Sequence, residues 1–184
     1  MLPAAMRRIP SIALCLLAAI LVAGALGACG SEEEETQVAE GEPLELGGLS
    51  YNVQLTRFLN PDDAEDAEYL VDQPAPKPGT YYLGVFMVVG NESDEPQPSA
   101  GSYTVIDTIN TQYKPVPTDS PYALDVGTEV PADEELPLPD TTAQTGPNEG
   151  SLLIFRVEDD VSENRPLMLK ISGSSGTGEV ILDI

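Results

Sequence analysis

From residue 49 apolar and polar side chains alternate, with Leu49, Tyr51, Val53 and Leu55 on one side and Ser50, Asn52, Gln54 and Thr56 on the other. A period of two predicts a half-buried strand. Residues 81–89 form the most apolar segment beyond residue 28 and read as a central strand that turns Leu83, Val85, Met87 and Val89 to the core. Two short strands follow at 103–106 and 112–116, and Pro115, Pro117 and Pro121 confine the second to a sheet edge. Alternation returns at 152–157, where Leu153, Phe155 and Val157 are the inward set, and again at Leu167, Leu169 and Ile171. The Gly-Ser-rich turn 173–178 leads to a last strand carrying Val180, Leu182 and Ile184. Between these runs, 60–80 is expected as a long acidic loop with one short extended piece at 69–71. In 123–147, Pro131, Pro137, Pro139 and Pro147 break every candidate helix, leaving extended segments and turns. About seven short strands with helix essentially absent argue for an all-β fold, a β-sandwich of the immunoglobulin type.

The first residues follow another pattern. The basic pair Arg7-Arg8 precedes an apolar run over 12–22 that fades into Ala23, Gly24, Gly27 and Ala28. A charged start, an apolar centre and a small-residue cut site predict a signal peptide over 1–28. The run is too short and wrongly flanked for a spanning helix of about 20 apolar residues. Leu26-Gly27-Ala28-Cys29 resembles the bacterial lipobox, with Gly27 before Ala28 as a slight departure. Cleavage is expected between Ala28 and Cys29, with lipid on the Cys29 sulfur. That places the protein at the cell membrane, lipid-anchored on the extracytoplasmic face. Residues 29–45, with Glu32 to Glu35 in a row and Val38 as almost the only apolar side chain up to Pro43, are expected as a disordered acidic tether. The sandwich is expected over 46–184.

Charge and cysteine usage narrow the picture. Cys15 falls inside the signal, so Cys29 is the sole cysteine of the mature chain and an exported domain has no disulfide. A packed core must hold the fold, and the 156 residues after the cut are enough for one. All 31 acidic residues follow the cut but only six of the eight basic ones do, giving a formal charge of −25. That field repels nucleic acid, so no nucleic-acid partner is expected.

Candidate chemistry is sparse. The chain has no histidine, which removes the usual general base and the commonest transition-metal ligand. With no free thiol, ordinary zinc and iron sites are also excluded. No serine stands three residues before Lys77, Lys114 or Lys170, and there is no Trp to line a sugar cleft. An enzyme is not expected. Calcium is the remaining candidate cofactor, because hard cations want several carboxylate oxygens on a flexible loop. Asp62, Asp63, Glu65, Asp66 and Glu68 offer them, although Ala64 and Ala67 stand where the helix-loop-helix calcium motif needs a ligand and a glycine. Asp133-Glu134-Glu135 and Glu158-Asp159-Asp160 are further acidic runs able to join across loop ends. Asn91-Glu92-Ser93 fits a glycosylation sequon.

Several segments together carry a family resemblance: Tyr82-Leu83-Gly84-Val85-Phe86 running on to Asn91-Glu92-Ser93, Val105-Ile106-Asp107 ahead of Tyr113, Gly150-Ser151-Leu152-Leu153-Ile154-Phe155-Arg156-Val157, and Pro166-Leu167-Met168-Leu169. Over 46–184 the chain resembles bacterial lipoproteins with an immunoglobulin-like domain of unknown function, a group sometimes labelled telomeric repeat-binding factor 2. The resemblance implies an extracytoplasmic sandwich with no established activity and no catalytic residues to carry over. The DNA-binding label conflicts with the charge. The expected function is a membrane-anchored, non-enzymatic binding module for an envelope or secreted protein, contacting it through 60–80. The alternative is a calcium or small-ligand binding domain that uses the acidic loops.

Overall fold

The computed structural model describes residues 37–184; the expected signal over 1–28, the cleavage and lipidation residues Ala28 and Cys29, and 30–36 lie outside the described residues. Strands β1 (Gln37–Ala39), β2 (Leu44–Leu46) and β3 (Leu49–Leu59) come first, followed by helix α1 (Ala64–Tyr69) and strand β4 (Thr80–Asn91). Strands β5 (Gln97–Pro98), β6 (Ser102–Ile106), β7 (Gln112–Tyr113), β8 (Glu129–Val130) and β9 (Glu135–Leu136) precede the single-turn helix α2 (Thr142–Thr145). Strand β10 (Ser151–Glu158), a 3-10 turn (Asp159–Ser162), β11 (Leu167–Gly173) and β12 (Gly176–Leu182) complete the chain.

The strands make an all-β sandwich. One sheet has the order β1-β12-β11-β6-β7; the other runs β10-β4-β3-β2, with β9 also pairing β4 and β5 pairing β8 apart from both. Six of the seven expected strands are present and the seventh, 112–116, only in part; β4 is central as its apolar run predicts, with β10 and β3 on either side. Two successive glycines, Gly47 at φ +66 and Gly48 at φ +83, make the β2–β3 turn. Positive φ at both central residues matches the twist of a tight hairpin and is costly for most residue types other than glycine, asparagine and aspartate.

The core lies between the sheets. Leu83, Val85, Met87 and Val89 are fully buried against Phe155 and Val157 from the same sheet and Val105, Leu169, Ile171 and Val180 from the other. A second apolar layer covers the outer face of the β10-β4-β3-β2 sheet, where Tyr82, Phe86, Leu152 and Ile154 meet Leu59, Tyr69, Leu70, Tyr122 and Ala143. That sheet is therefore buried on both faces over much of its length, which is why β4 reads as a continuous apolar run and why Leu152 and Ile154, the other set of the alternation in β10, are buried as well.

Besides α2, which puts a helical turn in the stretch 123–147 expected to hold only extended segments and turns, the structure corrects four expectations. The ordered domain begins by Gln37, inside the stretch 29–45 expected as a tether, because Val38 and Leu44 are buried in the core at 5% and 1% exposure. β1 pairs in parallel with β12, Val38 opposite Val180. Glu40 then clips the two sheets together: one carboxylate oxygen accepts from Thr56 N at 2.9 Å and the other from Asp183 N at 2.9 Å. Second, a bulge between Val53 and Leu55 shifts the β3 register, so Leu55 lies opposite Phe86 and packs with the outer layer, not with Leu49, Tyr51 and Val53. Third, the region 60–80 holds helix α1 where a loop was expected, and 69–71 forms no strand. Fourth, 112–116 is not one strand: Gln112–Tyr113 pairs with β6, while Pro115 bridges to Phe155 in the opposite sheet.

The ends of the sandwich differ. The β11–β12 hairpin, with Gly173 opposite Gly176, marks one end. At the other, β3 finishes, β4 begins opposite the end of β10, and the 3-10 turn crosses to β11. The bond from Asp159 N to Gly79 O (3.0 Å) and the bond from Thr108 N to Asn164 O (3.1 Å) hold that crossing at this second end, which also carries 60–80.

Candidate functional site

Pro61 follows Asn60 where β3 stops, and Asp63 then caps α1, its side chain accepting from Glu65 N (2.9 Å) and Asp66 N (3.3 Å). The helix settles on the outer face of the sheet because its last turn is aromatic. Tyr69 stands edge-on to Phe86 with ring centroids 5.2 Å apart and to Tyr122 at 4.8 Å. Arg57 rises from β3 between these groups, its guanidinium 5.8 Å from the Tyr69 ring centre and 5.9 Å from that of Phe86. It donates to Asp66 at 2.5 Å and Glu65 at 3.3 Å. Asp66 is 4% exposed, and its second oxygen accepts from Asn60 N at 2.7 Å, closing the loop on itself. The bond Arg57 donates to Asp66 holds the Arg57 pKa above its ordinary value, against the opposing effect of burial. Burial raises the Tyr69 pKa, against the bond from Asn148 Nδ2 to its hydroxyl (2.6 Å). Burial also raises that of Tyr122, with the neighbouring Glu68 carboxylate adding to the effect.

Each of the five candidate calcium ligands thus has its own place. Asp63 caps the helix, Glu65 and Asp66 face Arg57, and Glu68 accepts from the Tyr122 hydroxyl at 3.2 Å. Asp62 is exposed at the turn. The helical turn spreads the carboxylates around its axis where a loop would have gathered them. Among the described residues no three His, Cys, Asp or Glu side chains form a group able to hold a metal ion. The run Asp133-Glu134-Glu135 borders a separate hollow floored by Ser50, Asn52, Val88 and Gly90. The run Glu158-Asp159-Asp160 enters the 3-10 turn.

Other features had little or no signal in the sequence. Asn91 is 3% exposed and its amide nitrogen donates to the carbonyls of Glu95, Val130 and Pro131. The sequon asparagine is thus a buried brace, closed to modification. All seven tyrosines and three phenylalanines lie within the described residues, and eight of these ten rings are buried. The exceptions, Phe58 at 38% and Tyr81 at 51% exposure, stand side by side at the 60–80 end, with centroids 5.8 Å apart and planes tilted by 57°. Tyr81 was legible as the start of the 81–89 strand, whereas Phe58 lies past the alternation read to Thr56 and beyond a bulge that reverses its side. Their exposure was not legible, since it depends on where the opposite sheet stops.

No protein-family model and no curated protein matches the chain. Among solved structures, an uncharacterized β-sandwich protein from Clostridium difficile 630 is similar at 11% identity, covering 83% of this chain and 97% of its own, with a TM-score of 0.48. The yjhA protein from Bacillus subtilis aligns at 10% identity over 79% of this chain and 98% of its own, with a TM-score of 0.49. A candidate lipoprotein, ycdA from Bacillus subtilis subsp. subtilis strain 168, aligns at 14% identity over 82% of this chain and 39% of its own, with a TM-score of 0.44.

Proposed function

We propose that this chain is a lipid-anchored extracytoplasmic β-sandwich acting as a non-enzymatic binding module, with the 60–80 end as its contact surface. The observation that carries the reading is Leu26-Gly27-Ala28-Cys29, a lipobox-like sequence that ends eight residues before the first strand. Eight residues span at most about 28 Å, so the domain works close to its anchor. The direction of β1 supports the choice of surface. It runs parallel to β12, so β1 begins on the side of the β11–β12 hairpin, and 60–80 lies at the opposite end of the domain. Aromatic rings, a braced loop and the absence of histidine and of a second mature cysteine favour recognition over catalysis. The resemblance to immunoglobulin-like lipoproteins agrees with this assignment.

Intact mass and labelled palmitate test the anchor. The expected protein begins at Cys29 and carries lipid, and Cys29→Ser loses both the label and membrane retention. Label retained by Cys29→Ser, or a mature chain that still contains residues 1–28, overturns the reading. Crosslinking on intact envelopes, with the photoreactive group placed in 60–80, is expected to capture a partner that a group in the β11–β12 hairpin does not.

A further inference from the structure

Phe58 and Tyr81 continue the core outward past the point where the opposite sheet stops. Phe58 follows Thr56 on the inward side of β3, and Tyr81 precedes Leu83 on the inward side of β4. Next to them β12 has already ended at Leu182, leaving the two rings open to solvent. Carboxylates stand on both flanks. On the Phe58 side, Glu40 bonds Thr56 N and Asp183 N, so Asp183 is held beside the end of β3. On the Tyr81 side, Glu158 lies opposite Thr80, and Asp159 packs over Gly79, a Cβ on which would stand 3.7 Å from the Asp159 carboxylate. Glu158, Asp159 and Asp183 are all exposed. Lys77 and Arg165 also lie at this end; the Arg165 guanidinium is engaged with the carbonyls of Ser162 and Ile184.

We infer that the Phe58–Tyr81 pair is a docking platform for a basic segment of a partner protein, with an Arg or Lys side chain laid over the rings and its neighbours set against Glu158, Asp159 and Asp183. The choice of a cationic occupant rests on charge complementarity. Exposed ring faces attract a guanidinium or ammonium group, and the surrounding carboxylates on a chain of formal charge −23 repel an anionic one. An uncharged apolar segment would cover the rings while leaving those carboxylates unanswered. This inference deepens the binding-module reading and rests on it for the existence of a protein partner, but the contact itself needs no lipid.

The test uses the full chain in a neutral detergent at 150 mM salt and a fluorescein-labelled peptide of alternating Arg and Gly, read by anisotropy. Alternating Ser-Gly and Glu-Gly peptides serve as controls. The Arg peptide is expected to bind and the other two are not. Phe58→Ser with Tyr81→Ser is expected to weaken binding about tenfold, Tyr81→Phe to preserve it, and Glu134→Gln with Glu135→Gln on the other hollow to leave it unchanged. Melting curves confirm that each variant folds; if the double serine variant does not, Tyr81→Ser alone carries the test and is expected to weaken binding about threefold. Equal affinity of wild type and the folded serine variant overturns the proposal, as does loss of binding in the Glu134/Glu135 variant. Self-association that disappears with the rings overturns it in favour of a second copy. A failure of lipidation at Cys29 would sink the anchoring assignment and leave this result standing.

Discussion

Asp66 concentrates more of the local structure than any other carboxylate of α1. Its two oxygens hold Arg57 and the backbone of Asn60, and it is almost wholly buried. Removing one member of a buried pair leaves the other charge uncompensated. Asp66→Ala is therefore expected to cost about 2–3 kcal/mol in urea unfolding. Glu65→Ala, at a side chain 49% exposed, is expected to cost under about 1 kcal/mol. Tyrosines give a second residue-level outcome. Burial raises the pKa of Tyr51, Tyr69, Tyr103, Tyr113 and Tyr122 above the ordinary value of about 10. Above that pH the unfolded chain releases phenolic protons that the folded chain keeps, so stability is full below pH ~10 and falls as pH rises past it. Denaturation midpoints measured from pH 8 to 11 are expected to be level at first and then decline, together with a delayed tyrosinate absorbance.

Among the elements, β1 shows where the sequence could be read and where it could not. Strands β3, β10, β11 and β12 were legible from alternating apolar side chains in the sequence, and β4 from its apolar run. β1 and β2 were not, since Val38 is one apolar side chain among polar and acidic residues and Leu44-Glu45-Leu46 is too short an alternation to stand out beside Pro43 and Gly47, and only the fold shows that β12 and β3 receive them. The bulge at Gln54 carried no mark either, yet it decides that Leu55 leaves the inner core. α1 is too short for a helical period to show, although Asp63 followed by Glu65 and Asp66 has the composition of a capped first turn. The candidate site suffered most from this, because three of the five carboxylates read as a loop, Glu65, Asp66 and Glu68, belong to a helix and a fourth, Asp63, caps it. For β1 itself, Glu40→Ala removes two charge-assisted bonds between the sheets and is expected to cost about 2 kcal/mol. Hydrogen exchange should then accelerate at the Thr56 and Asp183 amides while those of β4 stay protected.

For the whole molecule, acidity sets the field and the fold keeps the carboxylates apart. Millimolar calcium is expected to leave the melting temperature where a magnesium control of equal ionic strength leaves it, because no group of three ligands stands ready among the described residues. A rise of several degrees specific to calcium would show that the acidic loops rearrange around the ion. The parallel seam of β1 and β12 has a mechanical consequence under the proposed anchoring. Tension between Cys29 and a partner held at the opposite end acts along the axis of β1, so the strand would have to slide past β12 in shear. The evenly spaced bonds of a parallel ladder then share the strain and yield together, whereas a strand pulled sideways would give them up one by one. Buried Val38 and the Glu40 clip must give way in the same step, so the attachment resists drag through the very residues that looked like slack.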